Sequence, residues 1–581
     1  DLDEARAHLE RALALQPDSF EALMGLATLC QETKDYARMA ELAHRAHQLR
    51  PDRPEPPGLM GSSKLVRHLF SEAIEFLREA VRLAPGEPEH RVMLGRGLAA
   101  LGRPQEAIEE YDRAIALRPL PQWRLEAGSV VPVIADSVEQ ILWWRRRCER
   151  CLDQLLAEDL GPADPRLLAV NNLGFYLGYH GMNDRPIAEK AAAVQLKLRP
   201  DLAWTAPGLE KRRPARDKGD PIRVGVASSN LAGDHTIGLL FRGLIRRLPR
   251  DRFHVTAIDL SGNPEFAKEV GPLADAWIQA GKRLEKARER IAALGLDVLV
   301  FADIGMEGAS YFLAFARMAP VQMALYGHPV TTGLRSLDYF VSWGRAEPAD
   351  AQDHYTERLI APTDLPAWYE PLLPSGQAAS RSELGLPEGR RLYGCAQSAF
   401  KIHPDMDRLF AGILDRDREG VIVLVKGMDP HWDALLRQRL ARSVGDRLER
   451  IVWIDRMGIE RFMAFNASCD VMLDTVHFCG LRTSLDALAV GTPIVTWPGA
   501  MMRGRQTFGL YESMGLGECV AHCAEEYVEK AFGMATDGER RAAARNRILA
   551  RHDCIYRNEK GVMSLATSIE TGWTGLPVKL A

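Results

Sequence analysis

An α-helical solenoid followed by two parallel α/β lobes in Rossmann-like style is the fold class this sequence predicts, and three observations carry the prediction. Prolines recur at a fixed period early in the chain. Short apolar strands alternate with helical stretches from residue 219 onward, and polar residues gather just beyond the carboxyl ends of those strands. At 581 residues the chain is too long for one hydrophobic core, so roughly two to four domains are expected.

Pro17, Pro51, Pro85 and Pro119 are spaced 34 residues apart, the period of the tetratricopeptide repeat. Ala12, Ala46, Ala80 and Ala114 keep step with them, as do Ala27, Gly61 and Gly95. Small residues let paired helices approach closely. The proline, which cannot donate a backbone hydrogen bond, closes the second helix of each pair. Repeats are therefore assigned to residues 1–122. Such a stack offers a concave groove for a protein or peptide, or serves as a structural arm or homodimer surface.

Residues 123–218 read as a helical connector. "SVEQILWWRRRCERCLDQLLAEDL" places apolar and charged groups at helical spacing, with Arg145, Arg146 and Arg147 on an expected solvated face. "TAPGLEKRRPARDKGDP", residues 205–221, is charged and Pro/Gly-bearing and marks an expected boundary.

Composition excludes some functions. Lysines and arginines (74) nearly balance aspartates and glutamates (78), so nothing in the overall charge favours nucleic acid or an anionic membrane. No apolar run approaches the roughly 18 residues of a membrane span. The sequence begins at Asp1 without a basic-then-apolar leader, which reads as a trimmed cytoplasmic chain. Nine cysteines are scattered. The close pairs Cys148/Cys151 and Cys519/Cys523 lack a second pair at zinc-ligand spacing, and reduced thiols are expected.

Two lobes follow, assigned to residues 219–380 and 381–581. The first carries the strand candidates "IRVGVAS", "FHVTAIDL", "LDVLVFAD", "VQMALYG" and "LDYFVSW"; the second carries "RLYGCAQ", "VIVLVKG", "RIVWID", "CDVMLDT" and "TPIVTW". Strands alternating with helices argue parallel sheets, whose ligands lie beyond the strands' carboxyl ends. In the first lobe those ends present Asp234 and His235, with Asp234 an expected helix N-cap. They also present the loop "GHPVTTG", which would offer His328, Pro329, Thr331 and Thr332 to a cleft. In the second lobe "CAQSAFKIHP" places Gln397, Ser398 and Lys401 after a strand, and the lysine is suited to neutralising phosphate. "FCGLRTSLDALAVGTP" turns at Gly480 and starts a helix at Arg482 and Thr483. Its N–H groups and positive end would hold an anion, although a plain capped helix has the same outline. The aspartates of "DMD" and "DRD" read as exposed helix charges, and no metal is expected.

The segments "RVGVASSNLAGDHTIGLL", "APVQMALYGHPVTTGLRSLDYFVS", "HYTERLI", "QSAFKIHP" and "VMLDTVHFCGLRTSLDALAVGTPIVTWPG" occur in this order behind the repeat. Together they resemble the protein O-GlcNAc transferase and SPINDLY family, which joins tetratricopeptide repeats to a two-lobed GT-B glycosyltransferase. The likeness is closer to bacterial members, including asparagine-glucosylating relatives. It implies that His235 is the active-site histidine, acting as base or positioning group, and that Lys401 stabilises the departing diphosphate. It implies further that Thr483 binds phosphate, Asp486 the ribose, and Ser398, or Gln397 under a one-residue shift, the diphosphate. Two departures fall on the donor side. Leu481 and Arg482 replace a His-Thr pair of the animal enzyme, and Arg456 and Met457 stand where a second lysine is expected.

The expected activity is inverting, metal-independent transfer of a sugar from a nucleotide-sugar, UDP-GlcNAc first, to Ser or Thr of a protein lying along the repeat groove. No further cofactor is expected. The alternatives are asparagine glucosylation from UDP-glucose, another donor such as GDP-fucose, and a non-catalytic repeat scaffold.

Overall fold

Helix ends in the first part of the chain are set by proline sterics. In the computed structural model, which describes residues 2–33, 35–160, 174–209, 219–281, 283–371, 373 and 379–575, helices Leu2–Leu15, Tyr36–Leu49, Phe70–Leu83 and Pro104–Leu117 each stop two residues before a repeat proline. A residue preceding proline is pushed out of the helical region. Arg50, Ala84 and Arg118 accordingly sit at φ −136°, −135° and −149°. Helices Phe20–Thr33, Glu55–Val66, Pro88–Leu101 and Pro121–Ser129 alternate with them. The small-residue column is a contact column. A Cβ on Gly61 would lie 2.6 Å from Leu77 Cγ, and one on Gly95 would lie 3.0 Å from Tyr111 Cε2.

The chain divides into two compact units, one of residues 1–155 with 426–439 and the other of residues 156–425 with 440–581. Within the first, residues 426–439 complete the repeat stack. Asp429 accepts the Ser71 N–H at 3.1 Å and its hydroxyl at 3.0 Å, capping a helix whose own N-cap, Leu69, has no side-chain acceptor. Trp432 stacks on Phe70 at 5.6 Å and donates its indole N–H to the Ala100 carbonyl at 3.0 Å. Of the arginine face expected to be solvated, only Arg146 is exposed. Arg145 is buried, and Arg147 donates to the Ala127 carbonyl at 2.8 Å, because helix Val138–Ala157 turns this side toward its neighbours.

The second unit holds two parallel sheets. The first contains β1 (Ile222–Ser228), β2 (Phe253–Asp259), β3 (Ala276–Gln279), β4 (Val298–Phe301), β5 (Val321–Leu325), β6 (Tyr339–Val341) and β7 (Arg358–Ile360), in the order β3-β2-β1-β4-β5-β6-β7. The second contains β8 (Arg391–Cys395), β9 (Gly420–Val425), β10 (Ile451–Ile454), β11 (Val471–Leu473) and β12 (Ile494–Val495), in the order β10-β9-β8-β11-β12. All ten strand candidates are strands. β3 and β7 are additional: they are short, lie at the sheet's edges, and β3 alternates half-buried with exposed residues, so no apolar run announces them.

Strand order reverses between β1 and β4 in one sheet and between β8 and β11 in the other, and such switch points open crevices at the carboxyl ends. The last helix, Glu559–Thr574, runs back to the first sheet, where Gly572 leaves room for Met323: a Cβ would lie 2.0 Å from its Cε. Connector residues 174–209 belong to this unit. Thr205 bridges to Arg317, and Ala206 and Leu209 bury against Ala292. The boundary expected at 205–221 therefore begins as packed chain, and its residues 210–218 lie outside the described ones.

Candidate functional site

The switch point of the second sheet gathers four of the expected residues. Beyond β8 the chain makes a short 3-10 turn, Ala399–Lys401, that brings the Lys401 ammonium back toward the strand end. Nζ lies 3.2 Å from Gln397 Oε1, 3.4 Å from the Cys479 carbonyl, and 4.9 Å from the centre of the Phe478 ring. Burial pushes its pKa below the usual lysine value, with Asp474 and neighbouring thiols opposing the shift. The Gln397 amide donates to the Thr483 hydroxyl at 2.7 Å, so one side chain spans both loops of the switch point.

Gly480 makes this closeness possible. A Cβ there would lie 2.1 Å from Thr483 Oγ1 and 2.4 Å from Gln397 Nε2. Its N–H donates to Asp474 at 3.0 Å, and the fully buried Asp474 carboxyl is pushed up to about 6 by desolvation. Asp474 is a supporting residue that sequence reading missed, since at the end of "VMLD" it looks like an ordinary strand terminus.

Helix Arg482–Ala489 starts beside this pocket, with Arg482 and Thr483 in its first turn. Arg482 Nε has no hydrogen-bond partner and lies 3.6 Å from Asp486 Oδ2. Asp486 is 1 % exposed, accepts the Tyr369 hydroxyl, and has its pKa raised by burial. Ribose would reach it only if Tyr369 or Arg482 gave way. Tyr369 is a second residue the sequence did not signal.

From the first sheet comes His235. It is the N-cap of helix Thr236–Arg247, accepting the Ile237 N–H on Nδ1 at 3.3 Å, whereas the cap expected from sequence, Asp234, is exposed. Burial and then the positive charge of Arg482 lower the His235 pKa, which places the two residues within electrostatic reach across the lobes. Nearby, the buried Asp303 carboxyl accepts the Ser228 hydroxyl and the Asn230 amide, both at 2.7 Å, and desolvation raises it to about 6.

Other expected residues stand differently. Ser398 is exposed, so of the pair left open by the one-residue shift it is Gln397 that meets Lys401 and Thr483. Arg456 is exposed and Met457 half-buried after β10, and among the described residues neither hydrogen-bonds to the Lys401 group. In the loop after β5, Thr331 and Thr332 line a small cavity with Gly305, Tyr311 and His328, but their hydroxyls face inward. Both hydroxyls bond the buried Glu357, Thr331 at 2.7 Å, because a carboxylate taken out of water needs donors. Pro329 is buried, and His328 stacks on Phe175 at 5.3 Å with its pKa pushed down to about 3, chiefly by burial. Of the four aspartates expected as exposed charges, Asp415 is exposed and Asp405 half-buried, whereas two are interior: Asp407 takes the Ser443 hydroxyl at 2.8 Å, and Asp417 pairs with Arg391 and Tyr393.

Two parallel-sheet lobes, each with a switch point at the carboxyl ends of its strands, have the architecture of a GT-B protein, and Lys401 stands at the second of those points. The model of glycosyl transferase family 41 matches residues 180–364 and 373–560, and a tetratricopeptide repeat model matches 1–54 and 59–121. The chain belongs to glycosyl transferase family 41. It is 25% identical over 54% of its length to the probable UDP-N-acetylglucosamine–peptide N-acetylglucosaminyltransferase SEC of Arabidopsis thaliana, covering 33% of that protein. It is 23% identical over 52% of its length to a UDP-glucose:protein N-beta-glucosyltransferase of Actinobacillus pleuropneumoniae, covering 48%. The chain thus spans only a third to a half of these curated relatives. A solved mutant of the Thermobaculum terrenum O-GlcNAc transferase shares the fold, with TM-score 0.68, 24% identity, and coverage of 96% of this chain and 97% of that one.

Proposed function

We propose that this chain is an inverting, metal-independent protein glycosyltransferase that moves a sugar from UDP-GlcNAc to Ser or Thr hydroxyls of a protein held along the inner face of its repeats. The observation that supports it most is that Gln397 bridges Lys401 and Thr483 beside Gly480, at the start of the helix whose first turn also carries Arg482. These are donors suited to a diphosphate.

In the proposed reaction the acceptor hydroxyl oxygen attacks the anomeric carbon, the bond from that carbon to the diphosphate breaks in line, and the hydroxyl proton passes to the departing diphosphate or to solvent. Charge grows on the leaving oxygen, where Lys401, Arg482 and Thr483 stabilise it. Each such group can contribute about 3–4 kcal/mol to the transition state. His235 takes a positioning role for a specific reason. Its Nδ1 lone pair is occupied by the Ile237 N–H, so the neutral ring carries its proton on Nε2 and offers a donor, not a base, to the reactants.

Asparagine glucosylation from UDP-glucose is the second reading, favoured by the likeness to the Actinobacillus glucosyltransferase. Calorimetry with UDP, GDP and CMP tests the donor: UDP is expected to bind, and binding of GDP or CMP in its place would overturn the reading. Mass spectrometry of a modified acceptor separates Ser or Thr from Asn.

A further inference from the structure

His403, Asp405 and His477 form a cluster that the transfer chemistry does not use, and we infer that it binds a divalent transition-metal ion such as Zn²⁺. His477 Nε2 lies 2.8 Å from Asp405 Oδ2, and His403 Nδ1 lies 3.4 Å from the same oxygen. The two imidazole centres are 4.4 Å apart at 75°, and one ligand atom from each residue falls within 4.8 Å of the others. Ligands on a tetrahedral zinc at about 2.0–2.1 Å stand about 3.3 Å apart, so small side-chain rotations would seat the ion. Two neutral imidazoles and one carboxylate suit zinc, cobalt or nickel far better than magnesium or calcium, which prefer all-oxygen shells.

The cluster is built, not incidental. His477 holds φ +69°, a backbone state sparsely used by residues other than glycine, and this conformation aims its ring at Asp405. Gly181 clears the space the ring occupies: a Cβ there would lie 2.6 Å from His477 Cγ and 2.7 Å from Nδ1. His403 is 4 % exposed while Asp405 and His477 are 30 % and 27 % exposed, which leaves solvent access for a water as fourth ligand. His403 Nδ1 accepts the Asp405 N–H at 3.1 Å and lies 3.4 Å from Asp405 Oδ2, so binding would exchange that backbone bond for the ion. The His477 proton would move from Nε2 to Nδ1.

The ion would clip together the loop that follows β8 and the loop that follows β11. Lys401 lies two residues before His403 and Gly480 three residues after His477, so the same two loops carry the donor pocket. The inference does not depend on which nucleotide that pocket takes.

The test is calorimetric titration of the chelator-stripped full chain with Zn²⁺ and Co²⁺, together with thermal melting. One ion per chain, a raised unfolding midpoint and a cobalt spectrum without thiolate charge transfer are expected. His477→Asn keeps a residue that tolerates positive φ, and Asp405→Asn keeps the side chain's shape, so both are expected to fold by circular dichroism and to lose the ion. No binding to the parent chain, thiolate-type cobalt absorption, or unchanged binding in both variants would overturn the site.

Discussion

The Gln397 side chain joins the loops after β8 and β11 by donating to the Thr483 hydroxyl at 2.7 Å, while its carbonyl oxygen faces the Lys401 ammonium at 3.2 Å. Gln397→Leu removes both interactions at similar volume. UDP affinity is expected to fall about tenfold, or about 1.4 kcal/mol, in a calorimetric titration. Lys401→Ala is expected to cost about 10²–10³ in turnover with the melting midpoint held, because its loss is felt mainly when charge develops. Retained turnover in the lysine variant would remove it from the transfer step.

Gly480→Ala inserts a methyl group 2.1 Å from Thr483 Oγ1 and 2.4 Å from Gln397 Nε2. The pocket must splay, so nucleotide binding should weaken far more than the fold does. An unchanged dissociation constant for UDP would show that the pocket does not face the nucleotide.

The repeat register is open to a paired substitution. Gly61→Ala places a Cβ 2.6 Å from Leu77 Cγ and should destabilise the repeats by about 1–3 kcal/mol, as overpacking does. Gly86→Ala meets nothing within 4 Å and should leave the melting midpoint nearly unmoved. Equal midpoints for the two variants would contradict the helix packing described above.

Thr331→Val separates structure from chemistry in the loop after β5. Its hydroxyl donates to the buried Glu357 at 2.7 Å and accepts the Thr356 N–H at 3.0 Å, and stranding both partners should cost about 1–3 kcal/mol of stability. Turnover per folded molecule is expected to stay near that of the parent. A selective loss of turnover would give this threonine a part in the chemistry.

Acid stability should report on His328. Its folded pKa is pushed from 6.5 down to about 3, so between those values the unfolded chain binds the extra proton and stability falls as pH falls. His328→Phe keeps the stack on Phe175 and removes the proton site, so the drop in melting midpoint from pH 7 to pH 5 should shrink. An unaltered drop would mean that other groups carry the acid sensitivity.

Much of the architecture was legible because it rests on local rules. The 34-residue spacing of the prolines determined where the repeat helices end, since the residue before each proline cannot stay helical. Buried strands announced themselves as apolar runs, and β3 and β7 escaped because edge strands need no such run. Lys401, Thr483 and His235 were legible as polar residues directly after strands, a position whose meaning follows from sheet topology.

Pairwise partnership was not legible, because it depends on which distant segments share a buried space. The sequence left Ser398 and Gln397 as equals, and the turn after β8 exposes the first and points the second at Thr483. It offered Thr331 and Thr332 as cleft residues, yet a buried Glu357 claims both hydroxyls. It placed Asp405 among exposed charges, and only tertiary structure sets it between His403 and His477, 72 residues further along the chain. Periodicity and chain stereochemistry determine the elements from sequence alone. The desolvation of polar groups, settled only when the elements meet, decides what each side chain does.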